Sequence, residues 1–315
     1  MGSFTFVSKP KPPFRLDLTA WALRRRARNV IDQWDGTTYR RVLVIDNTPL
    51  EVAVRQTGSM DNPELFATVA GVCDPTARTK VPQLLKQMLG LEIDLVPFYA
   101  LARRDRRLAP LVEEFRGVKP PRFPSVFEAL VNAVACQQLS LTVGIELLNR
   151  MARECAPAII SSEASQPTFP TPENLAHLNA HRLRHLGFSY GKARSLLELS
   201  RGILKGKVHL GGLDRIENHG AVKRLMELHG VGRWTAEYAL LRGLGRIDVF
   251  PGDDVGARNR LARWLERKGP LDYEGVRRAV QRWRPYAGLV YFHLLLAGLT
   301  QSGEMLLSGP ARLSA

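Results

Sequence analysis

The hydrophobic pattern of the first hundred residues predicts a mixture of strands and a helix. Short β-branched or alternating segments predict strands, and in "LEVAVRQ" the residues Leu50, Val52 and Val54 fall on one face. Between the first strands, Leu18 to Ile31 has the apolar spacing of a helix with an arginine-rich face. Asp46-Asn47 is a turn signal between two strand segments. This part of the chain therefore has the pattern of a small α/β domain.

From Pro97 onward the strand signals stop. Apolar residues then recur at helical spacing, beginning with Leu101, Leu108 and Leu111, and helical patterns continue almost to the C-terminus. The pattern predicts an N-terminal α/β domain over residues 1–96, an all-α region over residues 97–300 and a C-terminal tail over residues 301–315. The expected fold class is mainly α, with an N-terminal α+β domain.

Composition adds one strong signal, which is charge. The chain has 315 residues, with hydrophobic and charged fractions of 45% and 24% that are ordinary for a globular protein, but its formal net charge is +15. The run from Arg258 to Arg284 holds nine Lys or Arg against three acidic residues. The commonest partner of such a surface is nucleic acid, with an anionic membrane second and a merely solvated surface as the alternative.

Cysteine content and the length of the apolar runs indicate the cellular compartment in which the protein works. Cys73, Cys136 and Cys155 stand at no metal-ligand spacing, so we expect neither a zinc site nor a disulfide framework. We expect instead that the protein works in a reducing compartment. No apolar run approaches the ~20 residues that span a bilayer, and the N-terminus lacks the apolar stretch of a signal peptide. We expect no membrane partner and a location in the cytoplasm, or in the nucleus of a eukaryote.

A glycine hairpin lies within the helical region. Ala221 to Leu228 and Arg233 to Leu241 predict two helices, joined through Gly230-Val231-Gly232. Glycine leaves no Cβ in the way of a ligand, and the N–H groups at the start of the second helix form an anion site that the helix dipole strengthens. A nucleic-acid phosphate is the natural anion beside a basic surface, although an ordinary helical hairpin would have the same glycines.

The run "LMELHGVGRWTAEYALLRGLGRIDVFPGDDVG" resembles the helix-hairpin-helix, Gly/Pro-rich loop and aspartate motif of base-excision DNA glycosylases. It is most similar to the 3-methyladenine DNA glycosylase II (AlkA-type) branch, and "PSVFEALVNAVACQQLS" and "RWRPYAGLVYFHLLL" agree in order. The resemblance implies two helical subdomains that flank a cleft, preceded by a small antiparallel-sheet domain. It also implies that Gly230, Val231, Gly232 and Arg233 bind DNA.

The acidic pair Asp253-Asp254 follows the hairpin. The resemblance assigns the catalytic carboxylate to Asp254, with Asp253 as a helix cap or a loop brace, whereas both could be only caps. Cleavage of an N-glycosidic bond builds positive charge on the sugar, which an ionised carboxylate stabilises. The dipole of the helix that starts near Asp254 favours the ionised carboxylate.

Trp234 occupies the position at which bifunctional relatives carry a nucleophilic lysine. Without that amine no Schiff base is expected, so the resemblance implies that water attacks the sugar. The indole of Trp234, and Tyr238 one turn later, would line the base pocket, where an aromatic face attracts a cationic alkylated purine. A buried core tryptophan is the alternative. The family's further pocket aromatics are replaced by the leucine run at residues 294–296.

The resemblance places Gln137 and Gln138 where the family probes or fills the gap that a flipped nucleotide leaves, with Leu139 as an alternative wedge. No cofactor is expected, except for a possible structural monovalent cation on the carbonyls of Leu228 and Gly230. The expected partner is damaged double-stranded DNA, bound by a monomer.

The expected function is excision of alkylated purines of the 3-methyladenine and 7-methylguanine type in base-excision repair. A glycosylase of wider or oxidised-base specificity and a non-catalytic DNA-binding module are the alternatives.

Overall fold

An antiparallel sheet of five strands forms the N-terminal part of the computed structural model, which describes residues 2–156, 158–160 and 165–306. The strands run in the order β1-β5-β4-β3-β2. Asp46 and Asn47 make the β3–β4 turn with φ values of 47° and 62°, as the turn signal predicts. The strand bounds are β1 Gly2–Ser8, β2 Gln33–Trp34, β3 Thr38–Ile45, β4 Thr48–Gln56 and β5 Leu65–Gly71, and a separate two-stranded sheet is made by β6 Ala158–Ile160 and β7 Ser165–Pro167.

Helices dominate the rest of the chain, which confirms the predicted fold class. The prediction that residues 97–300 are entirely α is wrong at β6 and β7, which form a short hairpin within that region. None of the helices in the described ranges is long and apolar enough to cross a membrane. Within those ranges the α-helices are α1 Leu16–Arg24, α2 Pro75–Met88, α3 Val96–Arg103, α4 Leu108–Glu114, α5 Val126–Cys136, α6 Leu141–Cys155, α7 Pro172–Ala176, α8 Ala180–His185, α9 Tyr190–Leu204, α10 Asn218–Met226, α11 Arg233–Arg242, α12 Val255–Trp264, α13 Tyr273–Val280 and α14 Ala287–Gln301.

The first helix is shorter than its sequence pattern predicts. The prediction of a helix from Leu18 to Ile31 is wrong at its C-terminal end, because Arg25 has a left-handed backbone (φ 58°) and α1 ends at Arg24. The carboxamide of Asn29 then turns the chain by accepting the backbone N–H groups two and three residues further on, at 2.8 and 3.1 Å. Two arginines of the predicted basic face, Arg24 and Arg25, are buried. Long-range contacts therefore outweigh the local helical pattern here.

Three apolar clusters form the core. The sheet packs on α1 and α2 through one face, and Leu50, Val52 and Val54 are buried on it as their alternation predicts. A second cluster joins α5, α6, α9, α10 and α11, and a third joins α3, α4, α12, α13 and α14. The last two clusters are the helical subdomains that the resemblance implies.

A buried ionic cluster links the sheet to the helical region. Arg41 of β3 lies 2.8 Å from Asp32 and 2.6 Å from Glu128 of α5, and all three side chains are almost fully buried. Removal of one partner from such a cluster would leave a buried charge unpaired and would destabilise the protein. The cluster therefore favours the one arrangement of sheet and helical region in which all its partners meet. The domain boundaries at residues 96 and 300 stay predictions, and residues 307–315 of the predicted tail lie outside the described residues.

Candidate active-site cleft

A cleft of 1320 Å³ is lined by elements of both helical clusters. The α5–α6 turn, the start of α9, the α10–α11 hairpin, the loop before α12 and the inner face of α14 contribute to its wall. It is larger than the about 300–1,000 Å³ of a typical small-molecule pocket. The cleft can therefore admit part of a polymer rather than only a small ligand.

The hairpin has the geometry that its glycines suggest. Gly230 is left-handed (φ 76°), and a Cβ there would lie 2.0 Å from the Ser195 hydroxyl oxygen. Gly232 is the N-cap of α11, and a Cβ on it would meet nothing within 4 Å. Gly230 is therefore required by the turn and its packing, whereas Gly232 leaves the start of α11 open to solvent. Gly232 also has no side chain to cap the first N–H groups of the helix.

Asp254 lies in the cleft wall and caps α12. One carboxylate oxygen, Oδ1, accepts the backbone N–H of Ala257 at 2.8 Å, and Oδ2 accepts the Tyr291 hydroxyl at 3.1 Å. Burial first, and the Asp254 charge second, raise the pKa of Tyr291 well above its ordinary value, so the phenol stays a donor. Asp254 is thus a helix cap whose second oxygen is held within the cleft.

Asp253 is a loop brace rather than a helix cap. Its Oδ2 accepts Nε of Arg233 at 2.7 Å, which joins the loop to the first residue of α11. The Arg233 guanidinium lies over the Tyr273 ring, 3.5 Å from its centre. Of the two roles left open for Asp253, the structure shows the brace.

Glu237 of α11 supports the same loop from beneath. Its carboxylate accepts the Tyr273 hydroxyl at 2.6 Å and the backbone N–H of Gly252 at 3.0 Å. Burial is the main cause that raises the pKa of Glu237. Glu237, Tyr273 and Tyr291 are not predicted as site residues from the sequence. The signal that could have found Glu237 is an acidic residue among the apolar positions of α11.

Trp234 and Tyr238 face the cleft together. Their ring centroids are 5.6 Å apart, and Trp234 is half-buried rather than enclosed in the core. The Tyr238 hydroxyl accepts Nη1 of Arg25 at 2.9 Å. Of the leucine run at residues 294–296 only Leu295 lines the cleft, and an aromatic side chain on α14 is supplied one turn earlier by Tyr291.

The α5–α6 turn places its three candidate residues differently. The Gln137 amide donates to the Gly230 carbonyl and to Oγ1 of Thr235, both at 2.9 Å, so it holds the hairpin. Gln138 has a positive φ of 54°, and it and Leu139 are exposed at the cleft. The structure thus favours Gln138 or Leu139 over Gln137 for a wedge, and that role stays a prediction.

The predicted cation position has two backbone oxygens that already accept hydrogen bonds. The Leu228 carbonyl accepts the N–H of Val231 at 3.1 Å, and the Gly230 carbonyl accepts the Gln137 amide. Each carbonyl keeps a second lone pair, so the residues are compatible with a cation, which stays a prediction. Among the described residues, no group of three or more His, Cys, Asp or Glu could hold a metal ion.

The chain also resembles known proteins in sequence. Residues 131–285 match the HhH-GPD superfamily of base excision DNA repair proteins. DNA-3-methyladenine glycosylase of Bacillus subtilis (strain 168) is 28% identical over 222 residues, which cover 69% of this chain and 73% of that protein. DNA-3-methyladenine glycosylase 1 of Schizosaccharomyces pombe (strain 972 / ATCC 24843) is 32% identical over 163 residues, which cover 51% and 67%.

The fold is shared with a solved structure, the 3-methyladenine DNA-glycosylase from Archaeoglobus fulgidus. That structure superposes with a TM-score of 0.81 over 96% of this chain and 100% of the other, at 24% identity. The chain therefore belongs to the HhH-GPD superfamily of base excision DNA repair proteins, and within it to the DNA glycosylases. The predicted family, fold and enzyme class are confirmed.

Proposed function

We propose that this protein is a monofunctional glycosylase that flips alkylated purines out of damaged double-stranded DNA and excises them by water attack. The observation that carries the proposal is the position of Asp254, whose Oδ2 is held in the cleft that the Trp234 and Tyr238 rings also line. A carboxylate beside a wall that can stack a base is the arrangement that N-glycosidic cleavage requires.

The proposed chemistry assigns Asp254 to the sugar. As the bond between C1′ and the base breaks, its electron pair moves to the base and positive charge develops on the deoxyribose. The Asp254 carboxylate stabilises that charge, while Tyr291 and the Ala257 N–H keep it oriented. A water then adds to C1′. Trp234 has no amine that could form a Schiff base, which supports water as the nucleophile.

DNA binding is assigned to the hairpin and the basic surface. The open start of α11 at Gly232 suits a backbone phosphate, and Arg233 stands beside it. Leu139 and Gln138 are exposed at the cleft, and Leu139 has 42% of its surface exposed. Either side chain can fill the gap that an extruded nucleotide leaves in the duplex. We further propose that the protein acts as a monomer, in the cytoplasm or in the nucleus of a eukaryote.

A panel of duplexes, each with one defined lesion, tests the proposal through the release of free base. We expect release of 3-methyladenine and 7-methylguanine first. Activity confined to 8-oxoguanine would replace the alkylpurine proposal by an oxidised-base specificity. Tight binding of lesion DNA without any base release would instead indicate a non-catalytic clamp.

A further inference from the structure

Three residues of α11 form a stripe along the cleft. Trp234, Tyr238 and Arg242 are spaced by four residues, so they lie on one face of the helix over about 12 Å. All three line the cleft, and burial increases along the stripe, from half-buried Trp234 to Tyr238 at 5% and Arg242 at 1% exposed. A base that stacks on the two aromatic rings would therefore direct one edge towards the Arg242 guanidinium.

The Arg242 guanidinium finds no hydrogen-bond acceptor among the described residues. Within the part of the chain that the structure describes, its Nε, Nη1 and Nη2 are all buried without a partner. The Phe123 and Phe292 rings lie 4.7 and 5.1 Å from its central carbon. Such rings attract the charge but satisfy none of the N–H groups as a carbonyl would. A buried charge in this state is costly, so its donors call for a ligand.

Two other buried arginines show how the same protein satisfies a guanidinium. Arg25, in the same cleft, donates to the Leu23 carbonyl, the Tyr238 hydroxyl and Oδ1 of Asn132, at 3.2, 2.9 and 2.6 Å. Arg41 is paired with two carboxylates, and its Nε alone lacks an acceptor among the described residues. Of these three arginines, only Arg242 has all of its guanidinium nitrogens without an acceptor among the described residues.

We infer that Arg242 is a specificity-determining residue that donates hydrogen bonds to a carbonyl oxygen on the edge of the extruded base, a contact that a 6-oxopurine can make at position 6 and a 6-aminopurine cannot. The inference rests on the proposed function and names the substrate class of that site. A guanidinium has donors and no acceptor, and O6 of guanine accepts from arginine for this reason; in 7-methylguanine, whose N7 is methylated, O6 is the acceptor left on that edge. A 6-amino group would place donors against donors.

The same contact assists departure of the base. When the C1′–N9 bond breaks, its electron pair passes to the purine, water supplies the oxygen that binds C1′, and the water proton is released to solvent. The carbonyl oxygen gains negative charge as the pair arrives, and a preorganised donor in a closed pocket stabilises that charge. The gain is therefore expected in the rate of excision as well as in binding.

DNA treated with a methylating agent tests the inference, because it carries 7-methylguanine and 3-methyladenine in one substrate. Both bases are cationic in the strand, and they differ at position 6 as carbonyl and amino group. For Arg242→Met we expect the kcat/KM for 7-methylguanine to fall about tenfold or more relative to that for 3-methyladenine. The ratio of the two cancels differences in folded fraction and DNA affinity.

Two variants complete the experiment. Arg25→Met is the matched control, because it removes a buried cleft guanidinium whose acceptors are all present, and it should lower both releases by a similar factor. Arg242→Lys keeps the charge with a single donor group, and it serves as the test variant if Arg242→Met does not fold. In Arg242→Lys the ratio of the two kcat/KM values should again shift towards 3-methyladenine.

An unchanged ratio in the folded Arg242 variants would overturn the inference and leave Arg242 as a packing residue. If the wild-type protein released neither base, the proposed function itself would fail, which is a different outcome.

Discussion

The Tyr291 hydroxyl lies 3.1 Å from Oδ2 of Asp254 and donates a hydrogen bond to it, which joins the inner face of α14 to the start of α12. The other oxygen of the carboxylate is fixed by the helix cap, so both oxygens have defined directions. A carboxylate held in this way needs little reorganisation when positive charge develops beside it. Orientation of Asp254 is thus a function of α14, far from the hairpin in sequence.

Tyr291→Phe removes this hydrogen bond and keeps the ring, which packs against Phe250 with centroids 5.5 Å apart. We expect the single-turnover rate of base release to fall by about tenfold, because one carboxylate oxygen loses a charge-assisted hydrogen bond. DNA affinity and the melting temperature should stay close to the wild-type values. An unchanged rate would show that Tyr291 does not orient the carboxylate.

Gly232→Leu tests the hairpin as a phosphate clamp. The free protein should fold normally, since a Cβ at Gly232 meets nothing within 4 Å. Binding should weaken on every DNA sequence alike, and the slope of log K against log salt concentration should become less steep as phosphate contacts at the hairpin are lost. Gly211→Leu is the matched control, because that exposed glycine has equal space and lies outside the cleft lining. Undiminished binding of Gly232→Leu to undamaged duplex would remove the clamp assignment.

Product chemistry tests the absence of lyase activity. We expect an intact abasic strand that breaks only on alkaline treatment, and no covalent adduct on borohydride reduction, because Trp234, at the position that the resemblance assigns to the nucleophile, carries no amine. The cleft does contain a lysine, Lys192, whose Nζ donates to the Ala135 carbonyl at 2.9 Å. A borohydride-trapped adduct that disappears in Lys192→Arg would contradict the monofunctional assignment and identify the amine.

His293 should make stability depend on acidity. Burial lowers its pKa to about 4, and Nδ1 bonds only the Leu289 carbonyl. The unfolded chain, with a pKa of about 6.5, binds a proton that the folded protein excludes, so stability is present above about pH 6.5 and is lost as the pH falls towards 4.

Between pH 7 and pH 5 this group should remove about 2 kcal/mol from the free energy of unfolding. Urea unfolding of the wild type and of His293→Asn, which keeps a donor near the Nδ1 position, measures the difference. Equal loss of stability in the two proteins would show that His293 is not responsible.

The sequence reveals the parts of the site that are local in the chain. The hairpin, Trp234 and Asp254 lie within one continuous motif, so their types and spacing are visible without a structure. Three other contacts are not visible in the sequence, because each joins segments that meet only through tertiary packing. They are made by Tyr291, by Arg25 and by Gln137 with the hairpin.

The N-terminal region shows the same limit. The β4 face and the Asp46-Asn47 turn follow local rules and are predicted, whereas α1 ends early because Arg24 and Arg25 turn inwards to buried acceptors. Arg242 carries no sequence signal of its own as a pocket residue. Only the fold shows that it continues the stripe of Trp234 and Tyr238 and has no acceptor in the part of the chain that the structure describes.

Asp254→Asn, compared with Asp253→Asn, tests the central claim most directly. Asparagine keeps an oxygen for the Ala257 N–H, and even complete loss of an N-cap costs only about 1 kcal/mol, so folding and binding of lesion DNA should survive. Single-turnover base release should fall by about 10²–10³-fold or more, because the charge that faces the developing cation is gone. Asp253→Asn, which alters only the Arg233 brace, should change the rate far less. Equal and small effects of the two substitutions on base release would contradict the assignment and leave Asp254 as a helix cap.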